Sequence, residues 1–245
     1  MAEVEIFAAI GAVFFLAGVI KGLVGLGMPL VVIPLLTPVV GLGASIALTI
    51  IPGFLTNLRQ GLRGGRLRAI LYRHRWLFAG TVAGIWLGTG ILASGEVRAL
   101  ETLLGVTLAA FAGYALFRPD MPAVGPVVER FAVVVGLLGG LMTGMVGVWA
   151  VPGVVYLALL RLPPNELVQT LGVSFLVLSA SLGFSFAARD LIDPTTLSGS
   201  LVAVPAIFLG MVAGERLRGL LPEALFRRIF LVVVMALGAN IALGA

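Results

Sequence analysis

Apolar residues run in long blocks along this chain, and polar residues collect in short breaks between them. A helix needs about 20 apolar residues to cross the hydrocarbon core of a bilayer. Blocks of that kind lie at 44–58, 76–94, 99–117, 168–187, 198–215 and 224–243, and each predicts one transmembrane helix. Two other blocks, 4–36 and 127–160, are too long for one straight crossing. Glycine and proline interrupt both, in Gly22-Leu-Val-Gly-Leu-Gly-Met-Pro29 and in Gly144-Met-Val-Gly-Val-Trp-Ala-Val-Pro152. Such clusters are where helices break, so each long block predicts a hairpin of two short helices meeting at membrane depth.

The polar breaks set an orientation. The loop at 59–75 holds Arg59, Arg63, Arg66, Arg68, Arg73 and Arg75 and no acid, which marks it as cytoplasmic. Counting from it, the arginine-containing loops near 118–130, 161–166 and 215–228 also fall inside. The loops near 37–43, 95–98 and 188–197 fall outside with both termini, and these segments hold Glu3, Glu5, Glu96, Asp190 and Asp193. The count closes only when each broken block enters and returns to the same side. The acidic Met-Ala-Glu-Val-Glu start lacks the basic region of a cleaved signal peptide.

Composition removes several function classes. Of 245 residues, 60% are hydrophobic and 11% charged, whereas soluble domains are near half apolar and a quarter charged. The expected home is a membrane, here the cell inner membrane as a multi-pass protein. With no cysteine, disulfides, iron–sulfur clusters and thiolate metal sites are excluded. The lone histidine, His74, sits in the arginine-rich loop, so no histidine metal site or triad is available and no cofactor is expected. The net charge of +5 reflects arginines flanking hydrophobic spans, a membrane-topology pattern and not a nucleic-acid footprint.

The two broken blocks also match each other. Gly18, Gly22 and Gly25 pair with Gly140, Gly144 and Gly147 at a constant offset, Thr49 falls near Thr170, and Gly84 and Gly88 align with Gly210 and Gly214. The basic loop 59–75 corresponds to the acidic segment 187–197, and 95–98 corresponds to the arginine-rich 215–228. The expected fold is therefore an all-α integral membrane protein of two inverted-topology repeats, 1–120 and 121–245. Each would be a broken-helix hairpin plus three transmembrane helices. Inverted repeats with discontinuous helices are a transporter pattern, with binding expected at the midplane between the halves. Chance alignment of small residues that pack helices remains the competing explanation.

The segment Gly18-Val-Ile-Lys-Gly-Leu-Val-Gly-Leu-Gly-Met-Pro29, its second copy Gly140-Leu-Met-Thr-Gly-Met-Val-Gly147 and the basic loop after the second span resemble the sulfite exporter TauE/SafE family, also called the toluene sulfonate uptake permeases. The resemblance covers nearly the whole chain. It implies export of sulfite, sulfoacetate or a similar organosulfur anion. The sequence departs from the family pattern where Leu26 and Met28 flank a lone Gly27 and where the second copy carries Trp149.

A broken helix leaves backbone N–H groups unpaired and a partial positive charge at its first turn, and glycines let an anion approach them. The candidate substrate-binding residues are Lys21, Gly22, Gly25 and Gly27 at the first break and Thr143, Gly144, Gly147 and Trp149 at the second. Thr49, Asn57, Gln169 and Thr170 on neighbouring spans join them. Lys21 is the only lysine and lies within an apolar block, so it either meets the anion or snorkels to headgroups. Asn57 equally suits a helix end, and threonines in membrane helices often bond their own backbone. No carboxylate lies clearly within a span, which leans towards uncoupled efflux. The expected partners are a small anionic substrate and membrane lipid, with room for a homodimer and none for nucleic acid. A membrane-embedded enzyme and a non-transporting membrane subunit are the alternatives, and no catalytic residues are apparent for the first.

Overall fold

The structure is a computed structural model describing residues 3–25, 27–95, 97–117, 125–217 and 223–244. Leu26, Glu96, Arg218 and most of the loop near 118–130 fall outside the described residues. Eleven α-helices follow in order among those described: α1 (Glu3–Val24), α2 (Met28–Val40), α3 (Leu42–Leu62), α4 (Leu67–Arg73), α5 (Arg75–Ala93), α6 (Val97–Phe117), α7 (Ala132–Val146), α8 (Val155–Leu159), α9 (Pro164–Ala187), α10 (Pro194–Leu217) and α11 (Glu223–Leu243). A 3-10 turn (Gly125–Phe131) precedes α7, and a π-type turn (Ala150–Val154) leads into α8.

Each predicted single span becomes one helix, because an apolar backbone in lipid must satisfy its own N–H and C=O groups. Terminal residues fit the helix dipole: α1 opens with Glu3 and Glu5 and closes with Lys21, and α9 opens on Pro164 and Glu166. Asp193 accepts a 2.6 Å bond from the Thr196 N–H at the start of α10. The Thr196 hydroxyl first and this N–H bond second hold the Asp193 carboxyl below its usual range.

Three local expectations change. The basic loop is not all loop: α3 runs on to Leu62, and Leu67–Arg73 forms α4. Asn57 is therefore interior to α3 and not at its end. The first broken block is not two short helices, since α1 has 22 residues, enough to cross alone. Gly18 and Gly22 stay helical and do not break it; the helix stops at Gly25, where φ is +85°.

The chain forms two compact units: Met1–Pro52, Val97–Arg118 and Asp190–Ala245 in one, Gly53–Glu96 and Pro119–Arg189 in the other. In the first unit α1 crosses α10, and α6 crosses α11. A Cβ at Gly22 would lie 3.0 Å from Gly214 Cα, and one at Gly18 would lie 3.1 Å from Gly210 Cα. In the second unit α5 crosses α7. A Cβ at Gly88 would lie 3.0 Å from Gly144 Cα, and one at Gly84 3.0 Å from the Gly140 carbonyl carbon. The glycines aligned in the sequence thus meet in a different pairing, Gly18 with Gly210, Gly22 with Gly214, Gly84 with Gly140 and Gly88 with Gly144, at crossing points where two backbones touch, the close approach that drives helix association in lipid.

Candidate functional site

At the first break α1 ends in Lys21-Gly-Leu-Val24, and the Gly25 N–H donates to the Lys21 carbonyl at 2.7 Å. Gly27, also left-handed at φ +108°, precedes α2, whose second residue is Pro29. A proline in the first turn loses no helical bond, since that N–H is unpaired anyway. Space beyond Gly25 is open, with nothing within 4 Å of where a Cβ would stand. Gly27 instead faces Phe230 of α11 and Ile20. The Lys21 side chain is buried, 5% exposed, in the last turn of α1.

The second break repeats the geometry in its own unit. Gly147 has φ +74°, and its N–H donates to the Thr143 carbonyl at 2.8 Å. Thr143 occupies the position that Lys21 holds at the first break, and its hydroxyl donates to the Gly139 carbonyl at 2.8 Å. Beyond Gly147 the chain turns through Trp149 into the π-type turn, where Val151 is extended at φ −120°, ψ 127°. The buried Trp149 ring packs edge-on to Phe175 of α9, with centroids 5.9 Å apart. It also fills the space that side chains at Gly139 and Gly153 would need.

The candidate residues divide by what their polar atoms do. Gly22 and Gly144 face partner-helix backbone: Met211 to Glu215 for the first, Ile85 to Thr89 for the second. Thr49 donates to the Ile46 carbonyl at 2.6 Å within its own helix. Gln169 Nε2 donates to the Gly61 carbonyl at 3.0 Å, and Gln60 Nε2 reciprocates to the Val168 carbonyl at 3.0 Å, clasping α3 to α9. Asn57 is buried in α3. Trp149 Nε1 and Thr170 Oγ1 differ from all of these, being buried polar atoms with no hydrogen-bond partner. An unpaired buried donor costs about 1–3 kcal/mol, and neither atom recovers that cost from the described residues.

Three loops assigned to one side of the membrane meet in the second unit. Arg66 pairs with Glu166 at 2.7 Å, and Arg73 bridges Glu129 at 2.8 Å and Glu166 at 3.3 Å. The Glu129 hydrogen bond raises the Arg73 pKa. His74 beside it is buried, with Nε2 unpaired. Burial, aided by Arg73, lowers the His74 pKa, against the opposing pull of Glu129 and Glu166. Arg75 stacks on the exposed Tyr72 at 4.4 Å and lies 5.6 Å from the Trp76 ring, an aromatic–cationic pairing typical of a membrane interface.

Sequence reasoning passed over the end of α9. Ser185 and Thr89 of α5 hydrogen-bond through their hydroxyls. Arg189 donates from Nη1 to Ser185 Oγ at 2.8 Å and from Nη2 to the Trp86 carbonyl at 2.8 Å. Its guanidinium lies 5.0 Å from the Trp86 ring centroid. The spacing Ser181, Ser185, Arg189 was the available signal.

Among the described residues, seven stretches are long and apolar enough to cross a membrane: α1, α3, α5, α6, Val127–Val146, α9 and α10. They define an all-α, multi-pass membrane protein. The chain belongs to the sulfite exporter TauE/SafE family, whose sequence profile matches residues 10–241. That family consists of membrane transporters, not enzymes. No curated protein and no solved structure matches the chain.

Proposed function

We propose that this protein exports a small organosulfur anion, sulfite or a sulfonate such as sulfoacetate, across the cell inner membrane, with both termini outside. The observation that carries this reading is two unpaired buried atoms, Trp149 Nε1 at the second break and Thr170 Oγ1 on α9. An indole N–H can only donate, and an apolar surround makes it wait for an acceptor. Sulfite and sulfonate oxygens are acceptors, and neither a cation nor an apolar solute would satisfy that group. At the first break, Lys21 supplies an amine and the open backbone at Gly25 supplies room for approach. The chain divides for this purpose into two inverted repeats, 1–120 and 121–245, whose discontinuous helices favour binding at membrane depth.

Export needs no ion coupling on this reading. Carboxylates within the described spans lie near their ends: Glu3 and Glu5 in α1, Glu101 in α6, Glu129 in Val127–Val146, Glu166 in α9 and Glu215 in α10. With the cell interior negative, each unit of anionic charge leaving gains about 2.3 kcal/mol per 100 mV. The test is flux of sulfite and of sulfoacetate in proteoliposomes under an imposed potential. Flux that follows the potential is the expected result. Folded protein that moves neither anion under either polarity would overturn the substrate assignment.

A further inference from the structure

One face of α9 carries two pairs of hydroxyls, with Val177 and Leu178 between them on the same side. Thr170, Ser174, Ser181 and Ser185 are all buried. At 100° per residue their side chains fall within an arc of about 60°, and at 1.5 Å rise they extend over about 22 Å. A hydroxyl inside a membrane helix usually bonds the carbonyl one turn back, and Ser174 does so, donating to the Thr170 carbonyl at 2.8 Å. Ser185 is paired with Thr89 and Arg189. Thr170 and Ser181 have no partner at all. Helix packing alone does not explain two unpaired hydroxyls on one buried face, because each leaves hydrogen-bonding capacity unused in an apolar medium.

The face ends on a cation. Among the described residues no carboxylate pairs with Arg189; its guanidinium is anchored by the Ser185 hydroxyl, the Ser185 carbonyl at 3.3 Å and the Trp86 carbonyl. Those three bonds leave two of its five N–H donors. The other end of the face begins at Thr170, on the helix whose Phe175 packs against Trp149.

We infer that the buried hydroxyl face of α9 is the anion's track through the second unit, and that Arg189 is a cationic binding subsite at its end. Ser181 hands the anion along by donating to its oxygens, and Arg189 holds it electrostatically, while Ser185 and Trp86 fix the guanidinium. The inference rests on the transport reading above and adds Ser181, Ser185 and Arg189 to it.

The experiment compares sulfite flux in proteoliposomes for the wild type, Ser181→Ala and Arg189→Gln, with thermal stability measured on the same samples. Loss of one charge-assisted hydrogen bond should raise the apparent KM of Arg189→Gln about tenfold. Ser181→Ala should lower the maximal rate severalfold with its melting temperature unchanged or raised, because only an unpaired hydroxyl is removed. Arg189→Lys keeps the charge, so it should recover part of the Arg189→Gln defect, which a merely structural arginine would not explain. Wild-type flux with all three variants within twofold of it overturns the track while leaving the exporter standing. Absence of wild-type flux overturns the exporter and the track with it.

Discussion

The two breaks share a frame and differ in what they place on it. In each, a helix ends at a left-handed glycine, Gly25 or Gly147, whose N–H returns to the carbonyl four residues back. In each, the preceding turn is pinned by glycines to the backbone of a second helix, α10 for the first and α5 for the second. Yet the residue under the shared carbonyl is Lys21 in one and Thr143 in the other. The first break opens into the 13-residue α2, the second into a π-type turn roofed by Trp149. Backbone contact leaves no freedom at the glycines, whereas the position between them on the helix can change chemistry without moving the frame. One break carries an amine and the other a hydroxyl.

That comparison can be broken most severely at the frame itself. Gly22→Leu and Gly144→Leu each force a side chain into touching backbones, and each should destabilise by about 3 kcal/mol or more. The readout is recovery of monodisperse protein and its melting temperature. If one variant folds normally, the frames are not equivalent.

The next effect separates the chemistries. Lys21→Thr gives the first break the residue of the second, and flux per folded protein should fall at least about tenfold, the scale of a lost hydrogen bond to a charged group. Thr143→Val should change flux little, because that hydroxyl is spent on its own helix. Equal flux in Lys21→Thr and wild type would remove Lys21 from the route.

Trp149→Phe sharpens the second break. It deletes the unpaired N–H together with part of the indole that fills the space beside Gly139 and Gly153, so stability should fall by about 1–3 kcal/mol while flux drops severalfold. A stability loss with unchanged flux would show the ring to be packing alone.

The smallest effect belongs to His74, outside both breaks. Burial keeps its imidazole neutral in the folded protein, while the unfolded chain binds a proton near its ordinary value of 6.5. Stability is therefore complete above that pH and falls as pH drops through it, by at most about 1.4 kcal/mol per unit. His74→Gln should flatten this slope in melting curves between pH 7.5 and about 5 without altering flux at neutral pH.

Much of this fold was legible in the sequence because apolar blocks must become helices in lipid. The breaks were legible as regions but not as residues. Glycine serves both tight crossing and left-handed turning, and the string Gly18, Gly22, Gly25 does not say which does which; only φ separates Gly22 from Gly25. The helix α4 was hidden because seven residues with two arginines, flanked by more, read as a basic loop. Thr49, Thr143 and Thr170 look alike in sequence, and the rotamer alone decides that two bond their own helices while the third does not. Arg189 was missed because a loop arginine is ordinarily a topology signal, and its tie to Ser185 appears only when α9 is wound into a helix.

The interleaving of the two units also dictates an order of assembly. The second unit is complete once residue 189 has been made, whereas the first requires segments from both ends of the chain. Roughly 190 residues separate Gly18 from Gly210, so at about 5–20 residues per second the glycine face of α1 waits roughly 10–40 s for its partner. During synthesis that face is an unclaimed adhesive strip in the membrane, and the cell must keep it from closing on the wrong helix.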